Sequence, residues 1–113
     1  MSGESKLAGA SLADEQLAVA APAAAGAHMP EVVLYEHRNY GGAEWRSNLG
    51  WGYVGDFWND KVSAIIVVSG VWRFYEHRDF GGRSWDLGPG YYDWVVAAGI
   101  PNDIISSFKA IAI

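Results

Sequence analysis

At 113 residues, with no cysteine and a formal net charge of −5, the chain has room for one domain and no means of forming a disulfide or thiolate metal site. The acidic balance argues against a nucleic-acid backbone binder, which needs a basic surface, and suits a solvated protein or one that attracts cations. No apolar run reaches the roughly eighteen residues of a membrane span, while six Trp, six Tyr and fourteen Gly point to β-structure with many turns.

Residues 1–29 differ in composition from everything after them. The stretch "LAVAAPAAAGA" is Ala-rich, and Pro22 and Gly26 break any long helix. Ser11-Leu12-Ala13-Asp14 offers a cap for a short helix through "LADEQLAVA". A signal peptide does not fit, because Lys6 is the sole early positive charge and Asp14 and Glu15 stand where an apolar core belongs. The compartment is therefore left open, with a secreted or cell-surface location compatible. "AHM" at 27–29 resembles a cloning junction. Residues 1–29 are expected to form a disordered or loosely helical tail without a function of its own. The folded unit is then 31–113, small enough for its core to be marginal without a further stabiliser.

From Glu31 the text turns β-like and says the same thing twice. "EVVLYEH" and "VWRFYEH" are β-branched and aromatic runs ending at Arg38-Asn39 and Arg78-Asp79 turns. Gly41-Gly42 and Gly81-Gly82 follow, residues that permit positive φ or close backbone approach. Short strands "AEWRSNL" and "RSWDLG" come next, with Trp45 and Trp85 in register. "GWGYVGDFWND" and "GYYDWVVAAGIPND" are connecting segments, and "WVVAAG" can form one helical turn. "AIIVV" and "FKAIAI" read as final, buried strands. Each half, about 31–69 and about 70–113, thus holds four strands in about forty residues, the size of a Greek key. Neither half alone covers both faces of its sheet. Two copies packed together share one core, so the expected fold is an all-β sandwich of two Greek-key motifs. A propeller is excluded, since two blades cannot close a ring.

A second near-repeat precedes each final strand: "NDKVSA" at 59–64 and "NDIISS" at 102–107. An Asx and a Ser three residues apart can turn a carboxylate and a hydroxyl towards one point, with a carbonyl between them facing the same way. Hard cations such as Ca²⁺ take six to eight oxygens of this kind. An Asn-Asp pair alone reads more simply as an Asx-turn that satisfies its own backbone. Two copies, each in the same order relative to the hairpin repeat, favour the cation reading.

With both repeats in view, the chain resembles the microbial, calcium-binding βγ-crystallin family. That family's Greek-key signature, an aromatic, four residues, an aromatic, one residue and Gly, stands as Tyr35…Tyr40-Gly41-Gly42 and Tyr75…Phe80-Gly81-Gly82. Its calcium signature, Asn/Asp-Asn/Asp-x-x-Ser/Thr-Ser, is complete at Asn102–Ser107 and departs at the last position of the first copy, where Ala64 stands. The resemblance covers 31–113 and implies two Ca²⁺ ions at one end of the sandwich, each site borrowing from both motifs. It implies side-chain ligands from Asp60, Ser63, Asp103 and Ser106, and backbone carbonyls from Lys61, Ile104, Glu36 and Glu76, with water completing the shells. Asn59 and Asn102 read as loop-shaping residues. Trp58, beside Asn59, is placed near the ion. The departure at Ala64, together with the charge of Lys61, implies unequal sites.

His37 and His77 recur with the repeat but no nucleophile accompanies them, and "EHR" reads as a solvated hairpin edge. The tryptophans are read as core before they are read as a sugar platform. No P-loop, nucleophile elbow or HExxH is present, so the chain is read as a calcium-binding domain and not an enzyme. Two other classes stand beside that reading: a proteinase inhibitor or toxin-like protein on the same fold, and an adhesive or carbohydrate-binding module of a larger surface protein. A protein or glycan partner is not legible. If residues 1–29 carry no function, a chain starting at Pro30 keeps the Ca²⁺ affinity and melting temperature of the full chain. A large loss of either, in paired titrations and melting curves, shows instead that the Ala-rich segment docks on the sandwich.

Overall fold

The computed structural model of the chain describes residues 18–19 and 29–113. The expectation for residues 1–29 lies outside the described residues, apart from Ala18–Val19 and Met29. Ala18–Val19 is a two-residue strand, β1. The two "YEH" runs are strands over their whole length, β2 (Glu31–His37) and β6 (Val71–His77). Hairpins lead from them into β3 (Gly41–Ser47) and β7 (Gly81–Leu87). β4 (Gly50–Trp51) and β8 (Gly90–Tyr92) are short, and β5 (Ala64–Ser69) and β9 (Ser107–Ala112) end the two halves. Val95–Ala98 is a single 3-10 turn, where "WVVAAG" allowed one. No helix among the described residues is long and apolar enough to cross a membrane.

The strands form two antiparallel sheets, but the sheets do not correspond to the two halves. One sheet runs β3-β2-β5-β8 and the other β1-β4-β9-β6-β7. Each half thus lends its third strand to the other half's sheet: β8 pairs with β5, and β4 with β9. The sequence read four strands per half without revealing this exchange, because strands of two or three residues carry too little pattern to choose a neighbour. β1 lies outside β4, with Ala18 opposite Trp51 and Val19 opposite Gly50.

Alternation within the long strands builds the core. Val32, Leu34, Ile65 and Val67 belong to one sheet, and Trp72, Phe74, Phe108 and Ala110 to the other; all are buried in one cluster. Phe108 sits at its centre, with ring centroids of Trp45, Trp72 and Phe74 at 5.5, 5.7 and 5.9 Å. Burying one such side chain stabilises by about 1.5–3 kcal/mol, so this cluster carries most of the fold's favourable energy. The loops contribute Val54, Val62, Val95, Ile100 and Ile105, all fully buried, and so are anchored where they meet at the end of the sandwich.

The hairpins are folded tightly. Asn39 and Tyr40, and Asp79 and Phe80, have left-handed backbones with φ of 56–60°. For Tyr40 and Phe80 that conformation is costly. It is offset where each ring packs edge-on against the aromatic at the strand end, Tyr40 on Tyr35 and Phe80 on Tyr75, both at 5.4 Å. Gly42 follows with φ 73°, and an added Cβ would lie 2.6 Å from His37 Cδ2 and 2.9 Å from Glu36 Cβ. Gly42→Ala is therefore expected to cost about 1–2 kcal/mol from the left-handed backbone alone. Thermal unfolding should show a melting point lower by about 5–10 °C. Gly88→Ala, with nothing within 4 Å of the new Cβ, is expected to melt close to the parent.

Candidate functional site

The two Asn-Asp loops come together at one end of the sandwich, beside the two hairpins. Two features of the strands prepare them. First, the β2–β3 ladder shifts register between Tyr35 and His37, and the β6–β7 ladder between Tyr75 and His77. Glu36 and Glu76 sit at these irregularities, without a ladder partner, as bulged residues beside functional sites often do. Second, their carboxylates fold back over the hairpins. Glu36 Oε1 accepts the Ala43 N–H at 3.1 Å, and Glu76 Oε1 accepts the Arg83 N–H at 3.2 Å. The Arg83 guanidinium adds bonds to Glu76 at 3.1 and 3.3 Å.

The loops themselves are built alike. Asp60 and Asp103 have left-handed backbones, φ 58° and 56°, a conformation that Asp tolerates better than most residues. Ser63 and Ser106 dock their loops on the strands by donating N–H bonds to the Tyr35 and Tyr75 carbonyls, at 2.9 and 3.0 Å. Their hydroxyls then reach across to the other motif. Ser63 Oγ lies 3.1 Å from Asn102 Oδ1 and 3.4 Å from Asp103 Oδ1. Ser106 Oγ lies 2.6 Å from Asn59 Oδ1 and 3.5 Å from Asp60 Oδ1.

These crossings divide the end of the sandwich into two depressions of about 530 and 650 Å³. The first is lined by Glu36, Lys61 and Ser63 from one motif and Asp103 and Asn102 from the other. The second is lined by Glu76, Ile104 and Ser106, facing Asp60 and Asn59. The structure thus places all eight sequence-predicted site residues here, four to each depression. Asn59 and Asn102, read as loop-shaping, also turn side-chain oxygens onto the opposing serines. His37, Arg38 and Trp94 border the first depression, and His77, Arg78 and Tyr53 the second; the sequence placed the His and Arg residues on a solvated hairpin edge rather than at the site, and gave Trp94 and Tyr53 no place in it. The signal was present as an Arg after each "EH" and as the aromatic-Val pairs Tyr53-Val54 and Trp94-Val95. Trp58 is buried in the core, edge-on to Phe57 and packed beside Trp45.

The donor set is oxygen-rich and poor in charge. Among the described residues no three His, Cys, Asp or Glu side chains converge as a metal cluster. An ion here would draw on one Asp, hydroxyl and amide oxygens, backbone carbonyls and water, a set that suits a hard cation of high coordination number. The depressions are larger than an ion needs, which leaves room for that water.

The two sides are not identical. The Ser107 hydroxyl, fully buried, donates to the His77 carbonyl at 2.6 Å and accepts the Phe80 N–H at 3.1 Å, stapling the second hairpin to β9. Ala64, equally buried, stands at the matching place beside Tyr35 and supplies no such bond. Lys61 Nζ lies over the Phe57 ring, 5.3 Å from its centroid, at the rim of the first depression; the apolar Ile104 takes that place in the second.

The Beta/Gamma crystallin family matches residues 31–111. Among solved structures, a βγ-crystallin from an archaeon shares 51% sequence identity at a TM-score of 0.72, over 74% of this chain and 100% of the other. A βγ-crystallin from Ciona intestinalis shares 32% identity at a TM-score of 0.68, over 71% and 98%. A transition-metal-ion-binding βγ-crystallin from Methanosaeta thermophila shares 30% identity at a TM-score of 0.61, over 70% and 98%. No curated protein matches the chain.

The Arg83 side chain, and then its backbone N–H, hold the Glu76 carboxyl down to about 2 from an ordinary 4.5. A carboxyl depressed in the folded state adds stability above its unfolded pKa, and that stability is lost as pH falls through the folded value. Arg83→Ala should therefore melt below the parent at neutral pH, by a small margin because the pair is solvent-screened. The gap should close between pH 4.5 and about 2. Paired melting curves across that range check it, and a gap independent of pH would show that Arg83 acts through packing instead.

Proposed function

The chain belongs to the βγ-crystallin family, and from that premise we propose that it binds two Ca²⁺ ions, one in each depression, and that the ions stabilise the fold. The observation that carries this reading is the crossing of the loops: each serine hydroxyl meets the carboxylate and amide oxygens of the opposite motif, so that oxygens from both halves converge twice. In this reading the first ion takes Asp103 and Ser63 side chains with the Lys61 and Glu36 carbonyls. The second takes Asp60 and Ser106 with the Ile104 and Glu76 carbonyls. Water fills the remaining positions. The carboxylates of Glu36 and Glu76 are engaged by their hairpins, which suits a role for those residues through the backbone. The protein acts as a binding domain in this reading and not as an enzyme.

A second reading is a transition-metal site, since a relative is described as binding such ions and His37 and His77 border the depressions. Their imidazoles would supply the nitrogen that softer ions prefer. Calorimetric titrations with Ca²⁺ and with Zn²⁺ separate the two. Calcium binding that survives His37→Ala and His77→Ala supports the first, and Zn²⁺ binding abolished by those changes supports the second.

Because only the folded chain assembles the site, an ion at a hundredfold excess over Kd adds about 2.7 kcal/mol. Melting in millimolar Ca²⁺ should rise above melting in EDTA by on the order of 10 °C. Superimposed curves would remove the stabilising role.

The Ala64 departure sets a further expectation. A hydrogen bond of the Ser107 kind is worth about 0.5–1.5 kcal/mol, a severalfold change in Kd, if it holds the hairpin wall in place. The titration should need two constants, the weaker belonging to the first depression. Ala64→Ser should strengthen the weaker constant and move the stronger one less. Two constants unmoved by the change would make Ala64 a silent departure.

A further inference from the structure

Each depression is walled by a hairpin and an Asn-Asp loop of one motif, and a single short stretch of the other motif grips both walls. At the first depression that stretch is Asp93-Trp94-Val95. The Asp93 carbonyl accepts the Asn39 N–H at 2.8 Å, and the Val95 N–H donates to the Ser63 carbonyl at 2.9 Å. Between them the Trp94 ring carries the Arg38 guanidinium, 4.3 Å from Cζ to centroid. At the second depression the stretch is Gly52-Tyr53-Val54. The Gly52 carbonyl accepts the Asp79 N–H at 2.7 Å, the Val54 N–H donates to the Ser106 carbonyl at 3.0 Å, and the Tyr53 ring carries Arg78 at 4.0 Å. The same three contacts occur twice, in the same order, each time between motifs.

We infer that Trp94 and Tyr53 are positioning residues for cation binding, each fixing the gap between hairpin and Asn-Asp loop in the opposite motif's depression and parking an arginine away from the ion. The inference rests on the calcium reading above and adds which side chains set each site's affinity. Arg38 and Arg78 border the two depressions, and among the described residues neither pairs with a carboxylate. An unparked guanidinium would repel a dication close by. The π face holds it by a contact that leaves the acidic ligands to the ion, whereas a guanidinium paired with one of those carboxylates would compete with the ion for it. Tyr53 is itself braced, its hydroxyl donating to Asp56 Oδ1 at 2.7 Å. Removing either ring loosens one hairpin wall and frees one positive charge, two effects of the same sign on one site.

The test uses the full chain in two backgrounds that each leave one depression intact: Asp60→Ala keeps the first and Asp103→Ala keeps the second. Calorimetric Ca²⁺ titration should show Trp94→Leu weakening the Asp60→Ala protein about fivefold, the upper range for an exposed cation–π contact, and more if the freed charge adds to it. Trp94→Phe, which keeps a π face, should recover most of the loss. In the Asp103→Ala protein, Trp94→Leu should leave the constant unchanged, and Tyr53→Leu should give the mirror pattern. Equal weakening in both backgrounds, or a lowered melting point with affinity intact, overturns the inference and makes the rings ordinary packing. If Trp94→Leu fails to fold, Trp94→Met, whose unbranched chain fills an irregular gap more adaptably but also lacks a π face, must give the same one-sided loss. A parent chain that binds no Ca²⁺ overturns the calcium reading itself and this inference with it, an outcome distinct from binding that ignores Trp94.

Discussion

Val32, Leu34, Ile65 and Val67 do not make a core until Trp72, Phe74, Phe108 and Ala110 close over them, and each set comes from a different half of the chain. A Greek key of this size exposes one apolar sheet face that it cannot cover alone. The exchange of β4 and β8 ties the two halves more closely than face-to-face packing would, since each sheet now contains backbone from both. Separating the halves would break ladder hydrogen bonds as well as expose the core. The exchange also sets where the loops go. The segments after β4 and after β8 must return to β5 and β9 across the end of the sandwich, and that return brings the two Asn-Asp loops face to face.

Backbone strain gathers at the same end. Asn39, Tyr40, Asp60, Asp79, Phe80 and Asp103 have positive φ, and all six belong to the hairpins or the Asn-Asp loops. Left-handed backbone in L-residues costs on the order of 1 kcal/mol each, and it persists where surrounding contacts over-determine it. Here those contacts are the ring pairs at Tyr40 and Phe80, the N–H bonds of Asn39 and Asp79 to the opposite motif, and the Asp60 N–H bond to the Ile105 carbonyl. Every buried side-chain nitrogen or oxygen among the described residues has a partner, including the hydroxyls of Ser63, Ser106 and Ser107. The end of the sandwich is therefore rigidly specified before any ion is considered. Rigidity of this kind favours binding, because less ordering remains to be done when a ligand arrives.

The pseudo-symmetry is broken at three places, all close to the depressions. Ser107 staples its hairpin and Ala64 does not. Arg83 neutralises Glu76, while Ala43 at the matching place offers Glu36 only a backbone N–H. Lys61 brings a charge where Ile104 brings none. The first side thus has a looser hairpin and an unmatched glutamate, and the second a tighter hairpin and a matched one. If the depressions hold ions as proposed, the looser hairpin is the feature that would weaken the first site. The Glu36 carboxylate is turned to the Ala43 N–H and the Lys61 ammonium to the Phe57 ring.

The long elements follow from the amino-acid pattern alone. "EVVLYEH" and "VWRFYEH" are strands end to end, Gly42 and Gly82 carry the positive φ that their position in the repeat demanded, and the matched "NDKVSA" and "NDIISS" sit together at one end. These were legible because each rests on local rules: two-residue alternation, the freedom of glycine, and the repetition of a pattern. The partner of each strand was not legible. β4 and β8 have two or three residues, and no local rule says that Trp51 lies against Phe108 or Tyr91 against Ile66. The gripping stretches Gly52–Val54 and Asp93–Val95 were missed for the same reason, since their partners lie in the other motif and no spacing along the chain relates Trp94 to Arg38. Nor does sequence fix β1 on β4, because two residues of an Ala-rich segment offer no pattern of their own. These pairings arise in the assembled fold, because contacts between halves are set by which apolar faces can cover one another, a property of the whole core and of no single segment.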